Sequence, residues 1–82
     1  MSELHLIRQQ RTQAIMHENA IGAEELAFCL GKDPIVIEKL LASANPKIND
    51  ALARLIEQTF SKAKFWLDGD VKALDNFDLF GS

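Results

Sequence analysis

The 82-residue chain has one cysteine, Cys29, so no internal disulfide can form, and a reducing cytoplasm is the expected compartment. No apolar run is long enough to span a bilayer. The start, Met1-Ser2-Glu3-Leu4-His5, lacks the basic flank and apolar block of an export signal, so no membrane partner is expected. The four glycines are scattered and make no phosphate-cradling loop. Two histidines and one cysteine at wide spacing give no zinc signature, and neither a metal nor a cofactor is expected. Basic excess is missing as well: nine lysines and arginines stand against twelve carboxylates, for a net charge of −3. Nucleic-acid binders usually show a basic excess or a basic face. Any such face must therefore be a local patch.

A hydrophobic content of 48% fits a globular protein and excludes general disorder. The length allows one small domain, expected over residues 1–69, whose core has little margin. Residues 70–82 hold Val71, Leu74, Phe77, Leu79 and Phe80, too many apolar groups for a solvated tail. They are expected to pack back on the domain or to form a dimer contact. No β-period, internal repeat or low-complexity segment is present, and the expected fold class is all-α.

Five helices are expected, with room for a sixth short one. The first covers 3–19, where Leu4, Ile7, Arg11, Ala14 and Ile15 trace one stripe, with Arg11 its exception. Gly22 serves as N-cap for a second helix at 23–30, with Glu24 and Glu25 in the first turn, where the helix dipole favours negative charge. Gly31 suits the left-handed position that ends this helix. Asp33 caps the next, at 34–43, and Pro34 fills its first position, where no N–H is needed. Pro46 holds Asn45 out of the helical region, so 43–47 is a loop. Asn49 or Asp50 caps a fourth helix at 50–60, and Ser61 a short fifth carrying Phe65, Trp66 and Leu67. Leu26, Leu30, Ile37, Leu40, Leu52, Leu55 and Trp66 are the expected core.

Two helices joined by a short turn containing glycine make a helix-turn-helix. In this setting Glu24-Glu25-Leu26-Ala27, Leu30-Gly31, Ile37 and Leu40 resemble the motif of phage-repressor (Cro-like, Xre-type) regulators, antitoxin-like repressors included. The resemblance runs over about residues 14–68: Asn45-Pro46-Lys47-Ile48 is similar to the loop after the recognition helix. Ala51-Leu52-Ala53-Arg54-Leu55-Ile56 is similar to the fourth helix, and Phe65-Trp66-Leu67 to the fifth. It implies a lambda-repressor-like five-helix domain acting as a DNA-binding transcriptional regulator, a repressor and a homodimer. It also implies a DNA-binding set of Lys32, Pro34, Ile35, Val36, Glu38, Lys39, Asn45 and Lys47. The reading face departs from the family, which usually has Ser, Thr, Arg or Gln where this chain has Pro34, Ile35, Val36 and Glu38. Ala23 stands where the family often has Gln. Ile35 and Val36 can touch thymine methyls, and the lysines can meet phosphates, but this helix offers no bidentate pair.

The alternative is a protein-interaction module, in which Ala23, Pro34, Ile35 and Val36 form an exposed apolar patch for a protein partner. A positive rim around Pro34–Lys39 favours DNA, and a neutral patch with an acidic rim favours protein. Enzymatic activity is not expected. Cys29, between Phe28 and Leu30, reads as a small buried or half-buried thiol rather than a nucleophile served by His17. Glu24 and Glu25 point in different directions and make no acid/base pair. Trp66 and its neighbouring phenylalanines read as core rather than as a stacking platform for bases.

Overall fold

The computed structural model describes residues 3–69. Among them the regular structure is all helical: α1 (Glu3–Asn19), α2 (Ala23–Leu30), α3 (Pro34–Ala42) and α4 (Asp50–Thr59), followed by a single 3-10 turn at Trp66–Asp68. The expected tail at 70–82, with its packing or dimer contact, lies outside the described residues.

Local chemistry sets the helix ends. The Gly22 N–H donates to Glu25 Oε1 at 2.6 Å, which satisfies one donor at the start of α2. Gly31 ends α2 in the left-handed region, at φ 69°. Asp33 Oδ1 accepts from the Ile35 N–H at 2.9 Å and caps α3 ahead of Pro34. Between the two candidates for the α4 cap, the structure selects Asn49, whose Oδ1 accepts from the Leu52 N–H at 2.8 Å.

Ile15, Leu26, Ala27, Leu30, Ile37, Ile48, Ala53, Ile56 and Leu67 form the buried core. Leu26, Leu30 and Ile37 fulfil the expectation. Leu40, Leu52, Leu55 and Trp66 are instead half-buried against that core. The three leucines also line a surface groove, which accounts for their partial exposure. Trp66 lies at the surface between two cations, with Arg11 at 4.7 Å and Lys62 at 4.6 Å from its ring.

The first helix buries a different face from the one its apolar residues mark. Arg8, Gln9, Thr12 and Ile15 are its buried residues, whereas Leu4, Ile7 and Arg11 are half-buried and Ala14 is exposed. Partners far along the chain explain this. Arg8, 2% exposed, donates to the Ile48 carbonyl at 2.6 Å, to Asp68 at 2.8 and 3.2 Å, and to Asp50 at 2.7 Å. The Gln9 amide donates to the carbonyls of Leu40, Leu41 and Ser43, which end α3 and lack helical partners of their own. Buried polar groups are tolerated when paired in this way.

The expected fifth helix is the 3-10 turn. Ser61 has φ 59° and Phe65 φ 72°, so neither can propagate a right-handed helix. Glu57, itself buried, accepts from the Leu67 N–H at 2.8 Å and holds the turn in place. Gly69 follows in the left-handed region, and a Cβ there would lie 2.5 Å from Ile7 Cγ2. The close approach of α1 thus also requires glycine.

Candidate nucleic-acid interface

The three-residue link Gly31–Asp33 sets α3 against α2, the most closely packed helix pair. Ile37 turns inward, and Pro34, Ile35, Val36, Glu38 and Lys39 are all exposed. Ile35 is 60% and Val36 52% exposed, although both are large apolar side chains. Helical spacing accounts for the display, since a helix this short can bury only one stripe.

Beside this face runs a groove of about 640 Å³ between α3 and α4. Its apolar lining includes Val36, Leu40, Leu52 and Leu55, and its basic lining is Lys32, Lys47 and Arg54. A second depression, of about 320 Å³, continues past Val36 to Lys39, Asn45, Pro46 and Lys47. Among the described residues no carboxylate lines either one. Of the sequence-derived set, Lys32, Val36, Lys39, Asn45 and Lys47 are brought together here. Pro34, Ile35 and Glu38 stand exposed on α3 without lining either depression.

Charge at this surface is uneven in kind. Lys32, Lys39 and Lys47 are exposed and have no ion pair among the described residues. Arg54 is different. Its guanidinium pairs with Glu57 at 2.8 and 3.0 Å and with Asp68 at 2.8 Å, so two carboxylates compensate its charge. Burial lowers the Arg54 pKa, but the hydrogen bonds it donates to Asp68 and Glu57 outweigh that and the net shift is upward. Burial likewise pushes the Asp68 carboxyl up, and hydrogen bonds from Arg8 and Arg54 overcome that and hold it below the usual carboxylate range. Lys32 and Lys47 thus supply the uncompensated positive charge that lines the groove, Lys39 that of the second depression, and Arg54 ties the groove wall to the Arg8 network.

Sequence reasoning missed Arg54 and Gln58 of α4 and its cap Asn49 as lining of the groove. The signal for Arg54 and Gln58 was their i, i+4 spacing beside the apolar stripe of Leu52, Leu55 and Ile56. Ala23, expected in the exposed patch, is half-buried against the core, because it shares a helix face with buried Leu26 and Ala27 three and four positions on. Cys29, expected to be at least half-buried, is exposed, and its neighbour Phe28 is 87% exposed. His17 is exposed at the end of α1. Among the described residues no three His, Cys, Asp or Glu side chains gather as a metal site, and no helix is long and apolar enough to cross a membrane. Comparison with protein-family models, with characterised proteins and with solved structures finds no match to this chain.

Proposed function

We propose that the chain is a small DNA-binding transcriptional regulator of the Xre type, a repressor in which α2, the Gly31–Asp33 turn and α3 act as the helix-turn-helix. One observation carries this reading: three exposed lysines, Lys32, Lys39 and Lys47, stand on α3 or beside it, and among the described residues they have no ion pair and no carboxylate lines the depressions there. In such a motif the second helix enters the major groove and its flanks meet the phosphates. Lys32 precedes α3, Lys39 lies on it and Lys47 follows it, so all three are placed for backbone contacts. Asn45 and Asn49 add neutral donors around the same depressions. A net charge of −3 is compatible with this arrangement because Lys32, Lys39 and Lys47 line two adjoining depressions that share Lys47.

Few direct base contacts are available, so affinity rests mostly on phosphates. Pairing two copies of α3 about 34 Å apart across a two-fold axis raises it, and the active form in this reading is a homodimer. An electrophoretic shift assay at low and moderate salt, on duplexes flanking the coding region, tests the proposal. Retarded DNA that is released as salt rises is the expected result.

A second reading has its own observation. Phe28, Ile35 and Val36 are exposed apolar side chains on α2 and α3, a display that suits a protein partner. In that case the same fold docks a protein through α3, and the lysines lie on the rim.

A further inference from the structure

The exposed face of α3 lacks what most base edges require. Pro34, Ile35 and Val36 carry no side-chain donor or acceptor, and all three are exposed. The start of the helix offers little more. Pro34 has no N–H, and the Ile35 N–H is committed to Asp33 at 2.9 Å. That bond also holds the Asp33 carboxylate back against its own helix. Guanine, adenine and unmodified cytosine present hydrogen-bonding atoms and no methyl group in the major groove, and pressing those polar atoms against Ile35 and Val36 would strip water without replacing its hydrogen bonds. The bulky apolar feature on a major-groove edge is a methyl group at pyrimidine C5, carried by thymine and equally by 5-methylcytosine.

Resting on the DNA-binding reading above, we propose that α3 recognises pyrimidine C5-methyl groups, with Ile35 and Val36 as the contacting residues. Glu38 and Lys39 stand three and four positions beyond Ile35, on neighbouring positions of the helix surface. Glu38 accepts from a cytosine N4 amino group, and Lys39 stays with the phosphates. The apolar contact itself serves both sources of the methyl group.

Repeating duplexes test the proposal without an operator, because every register presents the same edges. Fluorescence anisotropy on the full chain compares an alternating A–T duplex with its A–U counterpart, and an alternating G–C duplex with its 5-methylcytosine counterpart. The methylated member of a pair should bind more tightly, by roughly four-fold in Kd for each methyl buried, the equivalent of about 0.8 kcal/mol. Preference in the first pair assigns thymine, in the second 5-methylcytosine, and either result supports the proposal. The double variant Ile35→Ser, Val36→Ser changes only exposed positions. It should lose the preference, binding the methylated and unmethylated members of each pair with equal Kd. Equal Kd values within both pairs overturn the proposal and leave the DNA-binding reading intact. So does a preference that survives in the double variant, since the methyl group would then act through duplex shape. Failure to bind any of the four duplexes at low salt overturns the DNA-binding reading and this proposal with it.

Discussion

Replacing Arg8 with alanine probes the whole scaffold at one point. The side chain is 2% exposed and joins α1 to the Ile48 carbonyl, to Asp68 beyond α4 and to Asp50 at the start of α4. Removing one member of a buried pair costs about 3–5 kcal/mol, mostly for the partners left behind. The low end applies, because Asp68 is 19% exposed and keeps Arg54 at 2.8 Å. Asp50, with an 84% exposed side chain, adds little. A loss of about 3 kcal/mol is a large share of the roughly 4–12 kcal/mol available to a domain of this size. It should lower Tm by about 12–24 °C. Urea unfolding followed by Trp66 fluorescence measures the change, since Trp66 opens the turn that Asp68 closes. A loss under about 1 kcal/mol would refute the reasoning, because Arg8 would then be solvated and the turn held by something else.

Acid should act on the same network through Asp68. Its folded pKa lies below the unfolded value of about 3.9, so its contribution is complete above that value and is lost as pH falls through the folded pKa. Asp68→Asn should lower stability at pH 7 and flatten its fall between about pH 5 and 2, as read from urea midpoints. Leu30→Ala, at a position 6% exposed, should cost about 2–5 kcal/mol through lost burial and the cavity left behind. An unchanged midpoint there would mean that α2 faces another way.

How legible these features were in the sequence depended on range. The ends of α2 and α3 could be read directly because Gly31, Asp33 and Pro34 act on backbone groups within a few residues. The face of α1 could not be read. Its apolar residues mark a stripe that is only half-buried, while Arg8 and Gln9 are buried by partners more than thirty residues away in sequence. No local period can report such pairings. Phe65-Trp66-Leu67 misled for a related reason: apolar spacing suggested a helix, but Phe65 adopts φ 72° beneath the Arg54 guanidinium, 4.6 Å from its ring. At the candidate site the lysines were visible in sequence, whereas the contribution of Arg54, Asn49 and Gln58 required the packing of α4 beside α3.

Salt dependence of DNA binding tests the central claim most directly. Binding of the wild type and of Lys32→Ala, Lys39→Ala, Lys47→Ala, Ile35→Ala and Val36→Ala is measured from about 50 to 200 mM salt. If α3 and its flanks hold DNA, each lysine variant binds more weakly and its log–log slope falls by about one unit. The Ile35 and Val36 variants keep the wild-type slope and lose less than the roughly 1–3 kcal/mol of a bidentate base contact. Lysine variants that match the wild type at every salt concentration would contradict the account. Costly Ile35 and Val36 truncations in a pull-down of a protein partner would then identify α3 as a protein-docking surface.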